Sequence, residues 1–369
     1  MIRYPGKLAL QQRVLTPYRA AFFDALATAC DGGLNIFAGL PRPEETIATT
    51  GALNVARFTS ARNLHLLRGT FYLCFQRGLL NWLAGCNPDA LIVEANPRYL
   101  STPAAVRWMK QHGRPVLGWG LGAPPLTGPL SSLRKIRRAS FLRQFDGLFT
   151  YSHRGADEYA ALGFPTDKIF VAPNAASPRP MSPLPRRSPT FDGKPSVLFV
   201  GRLQARKRID SLLLACAALS GDIQPRLVIV GDGPERTRLE NLARKIYPSA
   251  EFPGAKHGPE LASYFYAADL FVLPGTGWLA VQEAMSYGLP VIMGQGDGTN
   301  DDLIRPTNGW QLSGPETLTH VLQEALSDVS RLRAMGAESY RIVSEEINLE
   351  RMVEIFVGAV KQRSNKGKG

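Results

Sequence analysis

The chain has 369 residues, 44% of them hydrophobic and 20% charged, ordinary for a globular protein and long enough for two domains with separate cores. Its 43 Lys and Arg against 31 Asp and Glu give a formal charge of +12, which suits nucleic acid, anionic lipid headgroups or a phosphorylated substrate as partner. The cysteines lack CxxC spacing and no HExxH occurs; no stretch nears the roughly 18 apolar residues of a spanning helix, and MIRYPGKLALQQR has no signal-peptide core. The expectation is a cytoplasmic protein with reduced thiols and no metal.

In the first half, residues 34–38, 90–94, 115–119 and 147–151 read as strands, and 18–29, 101–111 and 153–162 as intervening helices. A proline-rich stretch without periodicity, 177–195, reads as a linker. The second half is clearer. Residues 196–201 form an apolar run ending in Gly201, as a strand buried on both faces would. Ile209, Leu212, Leu213, Cys216 and Leu219 then recur at helical spacing. A second strand over 226–231 precedes Pro234, which suits a first helical turn, with Leu239, Leu242 and Ile246 forming that helix's apolar face. Strands at 251–254, 270–274 and 291–293 alternate with helices at 261–268 and 279–287.

This alternation predicts an α/β protein of two Rossmann-like, doubly wound domains facing across a cleft. The expected division is 1–176, the linker 177–195, a second domain over 196–345, a helix over 346–361 packing back on the first domain, and a disordered tail, 362–369. Ligands of such sheets bind at the carboxyl ends of the strands, so the candidate residues belong there.

Arg202 leaves the first strand of the second half, and Lys207 begins the next helix, so both cations can meet a diphosphate. Against this, Arg206 and Arg208 flank Lys207 as they would in a solvated helix start. The turn Gly231-Asp232-Gly233-Pro234 feeds another helix start, a weak signal for an anion site. In Pro274-Gly275-Thr276-Gly277-Trp278, small residues permit close backbone approach and the following helix start suits a phosphate. Glu283, further along that helix, can accept bonds from ribose hydroxyls or be an ordinary exposed carboxylate.

The ordered runs FVGRLQARKRIDSLLLACAAL, LVIVGDGPERTRLENLA, FPGAKHGPELASYFYAADLFVLPG and VQEAMSYGLPVI resemble the donor domain of family 4 glycosyltransferases, enzymes of GT-B fold. The resemblance covers roughly residues 195–295 well; in the first half it rests on LTPYRAAFFDAL, which looks like an acceptor-side helix. It implies a nucleotide-sugar donor whose diphosphate meets Arg202 and Lys207 and whose ribose meets Glu283; the helix-start amides around Gly275, Thr276 and Gly277 are expected to join the diphosphate contact. Gly231, Gly254, Asp297, Gly298 and Thr299 are candidates for sugar or nucleotide contacts. Arg13, Arg19 and Trp119 are candidates for the acceptor side. Glu283 matches the second glutamate of the family's E-x7-E motif, whereas Gly275 replaces the first, as in the PGxxG variant.

A second departure is Trp119-Gly120-Leu121-Gly122, where relatives often carry Trp-Gly-His-Gly; no catalytic base is assigned. The acidic loop from Asp297 to Asp302 is expected near the sugar, with a metal site as the competing reading. The resemblance implies metal-independent transfer of a hexose-type sugar with retention, without a cofactor, to a glycan or lipid-linked acceptor. Residues 133–145, with Leu133, Ile136, Phe141 and Phe145 among cations, suit either an anionic membrane surface or an ordinary surface helix. No zinc-finger spacing or RNP-like run supports a nucleic-acid partner. A nucleotide-sugar epimerase and a catalytically silent sugar-nucleotide-binding protein are the alternatives.

Overall fold

The computed structural model describes residues 2–45, 47–128, 130–294, 296, 302–314 and 317–365. The chain divides into two compact units, one of Met1–Ala176 with Leu349–Gly369 and one of Ser177–Asn348.

Among the described residues, the first unit carries strands β1 (Leu8–Val14), β2 (Leu34–Gly39), β3 (Arg57–Ser60), β4 (Arg62–Leu66), β5 (Leu73–Arg77), β6 (Ala90–Glu94), β7 (Val116–Gly120), β8 (Gly147–Thr150) and β9 (Ile169–Val171). Seven of them form one sheet in the order β3-β2-β1-β6-β7-β8-β9, every pair parallel, while β4 and β5 form a separate antiparallel hairpin. Apart from the hairpin this is the dinucleotide-binding order, with its switch point between β1 and β6. Helices α1 (Ala20–Thr28), α2 (Leu79–Cys86), α3 (Thr102–Gln111), α4 (Ser131–Leu142) and α5 (His153–Ala160) connect the strands. The central strand β1 is absent from the sequence-based assignment because Gln11, Gln12 and Arg13 interrupt its apolar pattern. Both glutamines are nevertheless buried: the Gln11 amide donates to the Gln76 side chain, and Gln76 Nε2 donates to the Gln12 carbonyl at 2.9 Å.

The second unit repeats the plan. Strands β10 (Ser196–Val200), β11 (Arg226–Val230), β12 (Glu251–Gly254), β13 (Leu270–Leu273), β14 (Val291–Met293) and β15 (Gly309–Gln311) lie parallel in the order β12-β11-β10-β13-β14-β15. Its helices are α6 (Ile209–Ala217), α7 (Arg236–Ile246), α8 (Gly258–Ala267), α9 (Leu279–Ser286), α10 (Leu318–Leu326) and α11 (Val329–Arg341). The proline-rich stretch belongs to this unit, fastened by Arg187. Its guanidinium donates to the carbonyls of Phe265 (3.0 Å), Tyr266 (3.2 Å), Ala268 and Tyr287 (2.9 Å), at the C-terminal ends of α8 and α9.

Helix α12 (Leu349–Asn365) closes the first unit. Phe356 sits 4.0 Å from Phe149, 4.9 Å from Trp119 and 5.0 Å from Phe22, centroid to centroid. The disorder expected from residue 362 is corrected for 362–365, which are helical. Arg363 is buried, donates to the Asp167 carbonyl at 2.8 Å and lies over the Phe170 ring, so the helix gains contacts that its polar sequence hid. Residues 366–369 lie outside the described set.

Candidate donor site in the second half

At the switch point between β10 and β13, where neighbouring connections run to opposite faces of the sheet, a cavity of about 580 Å³ opens. Val200, Gly201 and Leu273 form its floor at the strand ends; Arg206, Lys207 and residues 276–280 form its walls. A 3-10 turn, Ala205–Lys207, brings the cations there. It is fixed by the Thr276 amide donating to the Arg206 carbonyl (3.1 Å) and by Arg206 Nη1 donating to Thr276 Oγ1 (3.4 Å). Lys207 is half-buried, and burial, reinforced by the neighbouring Arg206 charge, pushes its ammonium down to about 8.

Two glycines make this arrangement possible. A Cβ on Gly275 would stand 2.1 Å from the Arg206 carbonyl oxygen, and one on Gly277 would stand 2.1 Å from Lys207 Nζ. Gly277 also has φ +134°, a conformation that other residues avoid. The glycine in place of the family's first glutamate is thus required by the turn lying against it. A similar close approach joins the ends of β10 and β11: a Cβ on Gly231 would meet the Gly201 carbonyl oxygen at 1.9 Å. The Gly231 amide donates to the Gly254 carbonyl at 2.9 Å.

Lys207, Thr276 and Gly277 therefore share one cavity, with Gly275 packed behind it. Arg202 is exposed and outside the cavity lining; Arg206, a flanking cation in the sequence, is also exposed and lines the cavity beside Lys207. Trp278, which ends the candidate glycine run, and Met293, which no sequence signal marks, also line the cavity. Glu283 lies along α9 beyond the lining residues, half-buried, with burial raising its carboxyl above the ordinary range. Asp297, Gly298 and Thr299 lie outside the described residues.

In the first half, Arg19 and Trp119 come together in the interior. The buried Arg19 guanidinium lies 4.8 Å over the Trp119 ring and donates to the Tyr151 hydroxyl at 3.0 Å. Arg13 pairs with Glu45 at 2.7 Å, and its amide donates to Glu94 Oε2 at 2.5 Å. Glu94 ends β6 beside β1, at this sheet's own switch point, and desolvation raises its carboxyl to about 7 despite the opposing Arg13 and Arg19 charges. The sequence marks Glu94 only as a carboxylate closing an apolar strand. Of the apolar residues on the basic stretch, Leu133 and Ile136 are exposed, whereas Phe141 and Phe145 are in the core. Among the described residues, no group of three His, Cys, Asp or Glu side chains could hold a metal ion, and no helix is long and apolar enough to cross a membrane.

Two doubly wound Rossmann-like halves define the GT-B architecture. The fold matches the apo lipopolysaccharide outer core galactosyltransferase WaaB over 97% of this chain and 99% of that one, with TM-score 0.63 and 18% identity. It also matches Anabaena HepE in complex with UDP over 96% and 99% of the two chains, with TM-score 0.63 and 13% identity.

The model of the family Glycosyl transferases group 1 matches residues 182–341, in the second half. A GDP-mannose-dependent alpha-mannosyltransferase of Mycolicibacterium smegmatis is 35% identical over 173 residues, 44% of each chain. The match thus spans less than half the length of that relative.

Proposed function

We propose that the protein transfers a hexose-type sugar from a nucleoside-diphosphate sugar to a glycan or lipid-linked acceptor, with retention and without a metal. The carrying observation is the cavity at the second switch point, where Lys207 and Arg206 stand beside the N-terminal end of α9. As the donor's glycosidic bond breaks, negative charge gathers on the departing diphosphate. Fixed cations and helix-end amides lower the energy of that charge without reorganising. The acceptor hydroxyl attacks from the face the diphosphate vacates, and its proton passes to a phosphate oxygen. The resemblance to family 4 enzymes supports this stereochemistry.

GDP-mannose is the first donor to test, since the M. smegmatis relative is named for its use. The exposed Leu133 and Ile136 among the cations of α4 support an anionic membrane surface as a further partner, consistent with a protein peripheral to the cytoplasmic face.

Thermal unfolding with a panel of nucleotide sugars and nucleoside diphosphates tests the donor site. One nucleotide class should raise the midpoint, and Lys207→Ala should abolish the shift. Transfer to an acceptor with EDTA present, and the product's anomeric configuration by NMR, test the chemistry. An inverted product would overturn retention. Isomerised donor without acceptor would identify an epimerase, and nucleotide binding without turnover a silent relative.

A further inference from the structure

The β4–β5 hairpin has its polarity reversed. An antiparallel hairpin in water buries its apolar side and wets its polar side. Here the pairs Asn63 with Gln76 and His65 with Cys74 face inward, while Leu64 with Phe75, Leu66 with Leu73 and Arg62 with Arg77 form the other face. The inward pairs are held by polar bonds. Asn63 Nδ2 donates to the Arg13 and Leu40 carbonyls, both at 2.8 Å, and Gln76 Nε2 donates to Asn63 Oδ1 at 2.9 Å. The Gln76 amide donates to Ser101 Oγ at 2.7 Å, which ties the hairpin to the loop after β6. The hairpin is therefore firmly mounted with its apolar side outward.

At the tip, Leu67 is 64% and Phe71 76% exposed. Leu67 holds φ +58°, a left-handed conformation that Gly or Asn adopts with less strain, so local backbone preference does not explain a leucine there.

The charge pattern selects what covers this face. From residue 46 to 88 the chain has no Asp or Glu, but carries Arg57, Arg62, Arg68 and Arg77. Arg62 and Arg77 stand directly opposite each other across the strands, a like-charge pair that is unfavourable until an anion neutralises it. A second copy docked face to face would bring more arginines together. The hairpin is also tied to the following loop through its backbone, where the Cys74 N–H donates to the Arg98 carbonyl at 2.9 Å.

We propose that the outward face of the β4–β5 hairpin docks on an anionic lipid bilayer, with Leu64, Leu66, Leu67, Phe71 and Phe75 entering the interface and the flanking arginines meeting the headgroups. This goes beyond the role proposed for α4 by assigning a second, rigid contact. Insertion of the side chains contributes the hydrophobic part and the arginines the salt-sensitive part.

The test is co-sedimentation of the full chain with phosphatidylcholine vesicles, with and without phosphatidylglycerol, at low and raised salt. Binding should require phosphatidylglycerol and weaken with salt. Leu67→Asn with Phe71→Ser should weaken it roughly tenfold or more, the effect expected from withdrawing two large apolar side chains. The thermal shift given by a nucleoside diphosphate should stay unchanged in that variant, which separates this outcome from failure of the donor site. Leu133→Ser with Ile136→Ser supplies the α4 arm. The proposal is overturned by hairpin variants that bind as the parent does, by full-chain protein indifferent to phosphatidylglycerol, or by self-association that the hairpin variants abolish.

Discussion

Gly275 is the residue at which resemblance and physics disagree most usefully. By family pattern a glutamate belongs there; by geometry any side chain would displace the Ala205–Lys207 turn, since its first carbon meets the Arg206 carbonyl oxygen at 2.1 Å. Gly275→Glu should therefore fail to restore a family-type site. We expect it to lower the second unit's stability by about 1–3 kcal/mol, the usual range for overpacking, and to abolish the nucleotide-induced thermal shift. Gain of transfer activity would refute the steric account.

Lys207 makes a prediction of opposite character, since it concerns charge. Its ammonium is held near 8 rather than 10.5, by burial first and Arg206 second. In the unfolded chain the lysine keeps its proton to higher pH. Between about 8 and 10.5 the unfolded state therefore binds more protons, and this lysine's contribution makes stability rise with pH across that window. Diphosphate binding has the reverse preference, because it favours the charged lysine. Affinity for a nucleoside diphosphate should fall as pH rises through about 8, with proton uptake on binding in that range. Calorimetry in buffers of different ionisation enthalpy measures the uptake, and Lys207→Ala should remove it.

At the scale of elements, Arg187 shows how an irregular stretch is made part of a domain. Its two terminal nitrogens satisfy carbonyls at the ends of both α8 and α9, where a cation also complements the helix dipoles. Burial, and then Arg333, push this guanidinium down to about 10, so its position depends on those four acceptors. Arg187→Leu should lower the second unit's unfolding free energy by about 2–4 kcal/mol, read from the urea midpoint, because several buried carbonyls lose their donor at once. An effect no larger than that of a surface substitution would mean the strap is dispensable.

The same element explains the limits of the sequence reading. Strands β10, β11, β13 and β14 are legible because each is buried on both faces and therefore reads as an apolar run, whereas the edge strand β12 is only half-buried. β1 was illegible because its buried glutamines are satisfied by Gln76, far away in sequence. Proline content described 177–195 as a linker because nothing local reveals that Arg187 will find four carbonyls. In the site, spacing brings Lys207, Thr276 and Gly277 to one cavity, whereas the place of Arg206 in its lining depends on how the 3-10 turn lies against Thr276, which no local pattern reveals.

For the whole molecule, the first unit is completed by the chain's last helix, although the second unit intervenes in sequence. The aromatic group around Phe356 joins α12 to α1 through Phe22, to β7 through Trp119 and to β8 through Phe149, whose ring lies parallel to it at 4.0 Å. Phe356→Ala leaves a cavity at that meeting point and should cost the first unit about 3–5 kcal/mol. The second unit has its own sheet and core, with Phe199, Phe265 and Phe271 fully buried, so its contacts are untouched by the substitution. Calorimetry should therefore show one transition moved down and the other unmoved, with the nucleotide-induced shift retained in the latter. A single transition displaced as a whole would mean the two units unfold together. In that case the C-terminal helix would govern the stability of the donor site despite belonging to the other unit.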